Sequence, residues 1–293
     1  MACNLLTPNL RAEVLIEALP HIQRFRGQTF VIKYGGSSMD VINPVEHFLR
    51  DIVFLEVVGI NPVLVHGGGK AITAAMSTTG IAARFVGGLR VTDEKSISIV
   101  EKVLDTEINP RLVSTILHFG GRAVGLSGKS VFQAKPLPPP VTIPTDHWSG
   151  FVGEIEEIQT ETVELAINKE AVPVISPLGS SREGGTLNIN ADIAASALAS
   201  TLKASKLIFV SDVPGIMWDP SLPHSLIPSV TCGMATNLIE NKVISEGMIP
   251  KVQSAVQALQ GGVSKVHLVS GFQKHCLLLE IFSNAGIGTE IIP

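Results

Sequence analysis

Residues 64–70 read LVHGGGK, and residues 30–36 read FVIKYGG. Each is a short apolar run that ends in glycines. An aliphatic run without polar alternation is the pattern of a strand buried on both faces, as in a parallel sheet. Glycines directly after such a strand let backbone N–H groups converge on an anion with no β-carbon in the way. Where the glycines also open a helix, as HGGGK does before AITAAM, the helix N-terminus adds its dipole. Two such turns near one another imply one surface, built twice, for one anionic ligand.

Outward from these turns the pattern repeats. Apolar runs at 29–34, 62–66, 122–126, 172–176, 206–211 and 265–270 predict six strands. Helical periodicity over 44–58, 70–79, 93–104, 107–118, 161–169, 191–203, 251–260 and 273–282 fills the spaces between them. Strands alternating with helices imply right-handed βαβ units, hence an α/β fold: a three-layer α/β/α sandwich around a mostly parallel central sheet. Residues 130–150 break the alternation. They contain KPLPPP, whose prolines forbid a helix or a central strand, and predict an irregular hairpin crossing between lobes. A second hairpin is expected at 180–190, turning at Glu183-Gly184-Gly185.

The N-terminus predicts a helix that starts at Thr7-Pro8, with Leu10, Val14, Leu15, Ala18, Leu19 and Ile22 on one face. That face either packs on its own domain or forms an oligomer contact.

Composition excludes several classes. At 293 residues and 45% hydrophobic the chain can bury a full core, and a formal charge of -4 carries no nucleic-acid footprint. Cys3, Cys232 and Cys276 are far apart, which argues for a reducing compartment and against a disulfide scaffold. No apolar stretch approaches the roughly 20 residues that span a bilayer. Val14, Leu15 and Ile16 are bounded by Glu13 and Glu17, so neither a signal peptide nor a transit peptide is expected, and a cytoplasmic location is.

The charged residues near the glycines carry the chemistry. Lys33 lies inside an apolar strand, so its ammonium is expected to reach off the strand's end toward the glycine turn. GGLRVTD (87–93) puts Arg90 in an exposed turn, a planar fork suited to a carboxylate. LNINAD (187–192) sets Asn188, Asn190 and Asp192 before an apolar helix; helix capping would explain Asn190 but not all three. SEGMIPKV (245–252) puts Lys251 at a helix start, against the dipole, where an anion would give it a reason. Walker A, dinucleotide GxGxxG and serine-elbow GxSxG patterns are absent, as is a Cys–His pair. Lysines, amide cradles and one carboxylate fit phosphoryl transfer, which needs positioning and charge compensation and little else.

Together, VIKYGGSSM, the stretch from RDIVFLEVVG to HGGGKAI, GGLRVTD, GFVGEI, PVISPLG, LNINADIAASALA, LIFVSDVPGI, EGMIPKV and LLLEIFSNAGIGTEI resemble the amino-acid kinase family in order and spacing. The resemblance covers nearly the whole chain and is to the branch that phosphorylates N-acetyl-L-glutamate in arginine biosynthesis. It implies transfer of the γ-phosphoryl of ATP, with Mg²⁺ held largely by ATP and no dedicated metal site. It implies that Lys33 and Lys251 bracket the moving phosphoryl group and that Asp192 holds both. Gly68, Gly69, Arg90 and Asn188 would bind the acetylamino acid. Gly35, Gly36, Ser211, Asp212 and Gly215 would lie at the nucleotide. His66 is expected to be structural.

The same resemblance implies residues 1–26 as an oligomerisation helix, 27–187 as the acceptor-binding and dimerisation lobe, and 188–293 as the nucleotide lobe with an arginine site. His267, Glu280 and Gly288 would contact L-arginine, an inhibitor. A homo-oligomer follows, a dimer or a trimer of dimers, with the trimeric signal protein PII as a possible partner. VHLVSG with Phe272-Gln273 departs from the usual AHIIDG and following arginine, which bears on the strength of inhibition. Two alternatives stand beside this reading. One is a sister kinase of the same fold, for N-acetylaminoadipate or another amino acid; GGLRVTD and LNINAD weigh against most of these. The other is a silent arginine-sensing or PII-type scaffold, which would be free to lose Lys33, Asp192 and Lys251.

Overall fold

The computed structural model describes residues 7–138, 150–244, 247–283 and 285–293. Helix α1 (Pro8–Phe25) leads into β1 (Thr29–Tyr34), α2 (Ile42–Val57), β2 (Asn61–His66) and α3 (Gly69–Thr78). A hairpin of β3 (Phe85–Val86) and β4 (Leu89–Arg90) precedes α4 (Glu94–Glu101) and α5 (Asn109–His118). Next come β5 (Ala123–Leu126), β6 (Phe132–Pro136), β7 (Gly153–Ile158), α6 (Glu161–Asn168), β8 (Val172–Ile175), β9 (Leu178–Ser181), β10 (Thr186–Asn188) and α7 (Ala191–Thr201). The chain closes with β11 (Lys206–Ser211), β12 (Ser229–Thr231), α8 (Cys232–Glu240), α9 (Ile249–Gln260), β13 (Lys265–Ser270), α10 (Cys276–Ile281) and β14 (Thr289–Ile292).

Eight strands form the central sheet in the order β12-β14-β13-β11-β1-β2-β8-β5. Neighbours are parallel except β13 and β14, which are antiparallel. β1 is central because it can be buried on both faces. Val31 joins a core that includes Ala194 and Leu198 of α7 and Val252 and Ala255 of α9. Phe30, Ile32 and Tyr34 face a second core with Phe48, Leu49 and Ile52 of α2. Each such side chain contributes about 1.5–3 kcal/mol of burial. Chain order runs one way from β1 to β2 and returns on the other side at β11. The crevice at the carboxyl ends of these strands is therefore a switch point, where open α/β sheets bind ligands.

A second sheet, β10-β9-β6-β7, flanks the crevice. The expected 180–190 hairpin is β9 with β10, turning through Gly184 and Gly185 at φ 89° and 106°. The arms of the proline-rich hairpin are β6 and β7, with Pro136 the last residue of β6; residues 139–149 of that loop lie outside the described residues.

Two expected helices, 93–104 and 107–118, are one continuous rod. A π-helical turn, Lys102–Ile108, joins α4 to α5. The helix expected from 273 begins only at Cys276, because His275 takes a left-handed conformation at φ 55°. In α1, Thr7 caps Leu10 N at 3.3 Å, as its sequence implies. Phe25 is buried, whereas Leu10, Val14, Leu15, Ile16 and Leu19 are exposed. Among the described residues no helix is long and apolar enough to cross a membrane.

Candidate active site

Three distant charges meet at the crevice. Asp192, in the first turn of α7, lies with Oδ1 2.9 Å from Lys33 Nζ and Oδ2 2.8 Å from Lys251 Nζ. Asn190 fixes the start of α7 by accepting from Asp192 N at 2.8 Å and Ile193 N at 3.2 Å, so capping accounts for this amide. Lys33 reaches back over Gly35 from the end of β1, as its strand position implied: a β-carbon at Gly35 would overlap its ammonium. Lys251 is in the first turn of α9, with its ammonium 5.1 Å from the Phe209 ring centre. The side chains of the three are 11–15% exposed. Burial pushes the Asp192 carboxyl up, but the Lys33 and Lys251 ammoniums and their hydrogen bonds outweigh it and hold it well below the usual range. Burial, with Lys33 adding to it, pushes Lys251 down despite Asp192. The unit is two cations around one anion, a site one negative charge short.

The glycine turns do different jobs. At Gly68 a β-carbon would sit 2.7 Å from Leu104 Cδ2 and 2.8 Å from Ile108 Cδ1, so only glycine lets the π turn approach. At Gly69 the nearest atom would be Arg90 Nη2 at 4.0 Å, on the open side. Gly68 caps α3, whose first-turn N–H groups have no intrahelical acceptor. His66 holds the turn from beneath: Nδ1 donates to Gly67 O at 2.9 Å while Nε2 accepts from Asn109 Nδ2 at 3.3 Å. Burial pushes the His66 imidazole down to about 4, so it is neutral and structural. Gly36 needs its φ of 91°, and a β-carbon there would overlap Asp212. Asp212 Oδ1 accepts from Ser37 N at 2.5 Å and Ser38 N at 3.4 Å. Gly35 N is taken by Val210 O at 3.1 Å.

Arg90 is not in an exposed turn. It is 7% exposed, because β4 folds it against α3. Its Nη2 donates to Gly69 O at 2.6 Å and Thr73 Oγ1 at 2.8 Å, and its guanidinium lies 4.6 Å from the Phe85 ring centre. Asn188 Nδ2 donates to Thr92 Oγ1 at 3.0 Å, which in turn donates to Arg90 O at 3.0 Å. A cavity of about 250 Å³ brings together Lys33, Gly35, Gly36, Gly68, Gly69, Arg90, Asn188 and Asp192. Its apolar wall, which sequence reading did not pick out, includes Ile72, Leu104, Val152 and Ile189. Lys251 stands behind Asp192 rather than in the wall.

Ser211 ends β11, and Asp212 follows it against the Gly36 turn. Gly215, at φ 157°, packs so tightly on Thr289 that a β-carbon would meet its N at 3.0 Å. The remaining expected residues form a separate cluster. His267 Nδ1 lies 2.6 Å from Glu280 Oε1, and Glu280 Oε2 accepts from Ile287 N at 2.7 Å and Gly288 N at 3.0 Å. Lys206, missed in the sequence, completes it with Nζ 2.8 Å from His267 Nε2; burial pushes this lysine down to about 8.

Comparison with known proteins places this chain in a family. Residues 28–270 match the model of the amino acid kinase family. The acetylglutamate kinase of Akkermansia muciniphila is 50% identical over 291 residues, covering 96% of this chain and 95% of that one. That of Methanocaldococcus jannaschii is 47% identical over 287 residues, covering 96% of each. Among solved structures, N-acetylglutamate synthase from Neisseria gonorrhoeae with coenzyme A and N-acetyl-glutamate superposes at a TM-score of 0.84 and 26% identity. It covers 96% of this chain, which spans 63% of that longer one. The same enzyme with L-arginine gives 0.81, also at 26% identity, covering 96% of this chain and 65% of that one.

Proposed function

The chain belongs to the amino acid kinase family, among its acetylglutamate kinases, and phosphorylates N-acetylglutamate in arginine biosynthesis; we propose that it does so with Lys33, Asp192 and Lys251 as one unit. The observation that carries this reading is the Asp192 carboxylate held between two ammoniums in the wall of a cavity that is also lined by Arg90. The acceptor is a side-chain carboxylate with a pKa near 4.3, already ionised at pH 7, so no general base is needed. One of its oxygens attacks the γ-phosphorus of ATP, the bond to the β-γ bridging oxygen breaks, and ADP leaves an acyl phosphate behind. Charge on the transferring group grows between Lys33 and Lys251, whose excess positive charge offsets it. Asp192 keeps both ammoniums aimed. Mg²⁺ comes in on the ATP phosphates as part of that substrate.

In this reading the α-carboxylate pairs with Arg90, whose guanidinium is pre-set by Gly69 and Thr73. The rest of the acetylamino acid lies against Gly68, Gly69 and Asn188. Nucleotide binding falls to the Gly35-Gly36 turn with Ser211, Asp212 and Gly215; residues 27–187 then supply most of the acceptor side and 188–293 most of the nucleotide side, with Asn188 and the Gly35-Gly36 turn crossing that division. The His267, Glu280 and Gly288 cluster with Lys206 is the candidate arginine site; the arginine complex of the similar synthase supports it. The exposed apolar side chains of α1 support a homo-oligomer.

The test is coupled ADP release with ATP and Mg²⁺, with N-acetylglutamate, glutamate, aspartate, UMP and N-acetylaminoadipate as acceptors, each with and without millimolar arginine. Turnover with N-acetylglutamate, suppressed by arginine, is expected. Turnover with a different acceptor in its place would refute the acceptor assignment, and turnover indifferent to arginine would refute the arginine site.

A further inference from the structure

The rod formed by α4, the π turn and α5 supports the acceptor side of the cavity at several points. At the end of α4, just before the π turn, Glu101 accepts from Thr186 Oγ1 at 2.8 Å, two residues before Asn188, and pairs with Lys129. In the π turn, Leu104 lines the cavity and packs with Ile108 on Gly68. Just after it, Asn109 donates to His66 and, at 2.8 Å, to Val174 O of β8. A π turn is a rare form, found mostly as a single turn inside an α-helix and frequently at functional sites, and it holds an extra residue per turn. Something outside the helix must hold it, and Asp105 is placed to do so. Its Oδ2 accepts from Ser127 Oγ at 2.7 Å, just past β5, and its Oδ1 from Ser176 Oγ at 2.5 Å, just past β8. Ser176 is itself fixed by Gly128 N at 3.0 Å and precedes Pro177, which lines the cavity.

We propose that Asp105 is a positioning residue for the acceptor: by pinning the π turn to the ends of β5 and β8, it keeps Leu104 in the cavity wall and sets the length of acceptor that fits. Asp105 is not in the cavity wall and touches none of the Lys33, Asp192 and Lys251 unit. Without its carboxylate the two serine hydroxyls lose their acceptor, and the turn is free to relax toward α geometry. The residue facing Gly68 and the cavity then changes. The inference rests on the acceptor assignment made above.

The test measures kcat, KM for acceptor, KM for ATP and melting temperature for the full-length protein and for Asp105→Ala, Asp105→Asn and Leu104→Ala. Acceptors are N-acetylglutamate and N-acetylaminoadipate, one methylene longer. For Asp105→Ala, KM for N-acetylglutamate should rise about tenfold, with KM for ATP and kcat within roughly threefold, and the preference over the longer acceptor should fall about tenfold. Asp105→Asn keeps one acceptor oxygen and should recover part of both. Leu104→Ala leaves the carboxylate clamp intact and should shift the preference in the same direction. Unchanged KM and preference in all three variants would overturn the inference. So would an equal loss toward ATP and acceptor that tracks a fall in melting temperature. If the unmodified protein turned over neither acceptor, the failure would be that of the acceptor assignment itself.

Discussion

Replacing Asp192 with asparagine keeps the shape of the side chain and removes its charge. Two ammoniums then face one another across a neutral amide, at sites 11% exposed. Breaking a buried ion pair on one side costs about 3–5 kcal/mol, because the remaining charge is uncompensated. Here water reaches the edge of the unit, so we expect the lower end, about 3 kcal/mol, in urea unfolding at pH 7. Turnover should fall by roughly two to three orders of magnitude, the scale for losing a preorganised electrostatic element. The pH dependence has two signs. In the unmodified protein the Asp192 carboxyl is held below its unfolded value, so its stabilisation is full above about pH 4 and is lost as pH falls toward the folded value; the variant lacks that acid limb. Lys251, already pushed down by burial and by Lys33, loses the carboxylate that raised it, so the variant's residual turnover should fall at a lower pH on the alkaline side. ADP release followed from pH 6 to 9, with urea midpoints alongside, reads all of this. Stability within about 0.5 kcal/mol and turnover within threefold of the unmodified protein would show that the three residues do not act as a unit.

Two further outcomes follow from the glycine turn. Gly68→Ala drives a methyl to 2.7 Å from Leu104 and should cost about 1–3 kcal/mol, whereas Gly69→Ala meets nothing nearer than 4.0 Å and should stay within about 0.5 kcal/mol; equal melting temperatures would contradict the packing. His66, pushed down to about 4 in the fold, stays neutral while the unfolded imidazole takes a proton, so stability should decline by roughly 3 kcal/mol as pH drops from about 6.5 to about 4. His66→Gln should flatten that decline, and an identical pH slope in both proteins would count against it.

The inner strands of the central sheet were legible because they are buried on both faces and show as apolar runs at 29–34, 62–66, 206–211 and 265–270, whereas β5 at the sheet edge proves half exposed. The lysines and Asp192 were legible because charge inside or beside such runs has few other uses. What escaped is what tertiary packing decides. β12 and β14 are only three and four residues long, too short for their pattern to stand out, and the nine-residue α8 was also missed. The π turn adds a residue and shifts the phase of the apolar stripe, so residues 93–118 read as two helices instead of one rod. Arg90 looked exposed because its cover, Gly69, Thr73 and Phe85, comes from other elements. Lys206 shows in the sequence as a strand residue, and only the register of β11 on β13 brings it to His267.

The positions of the three central charges along the chain have a consequence for synthesis. Lys33 stands on β1, which needs β11 at 206–211 on one side before the sheet can close around it. Lys251 comes 59 positions after Asp192, near the end of the chain. Contacts so distant in sequence form late, after the loops between them have closed. A ribosome-bound chain can complete β1, β2 and the glycine turn and still have no assembled pair of ammoniums. If these residues act as proposed, a copy that ends before Lys251 lacks one of the two ammoniums and is expected to transfer no phosphoryl group.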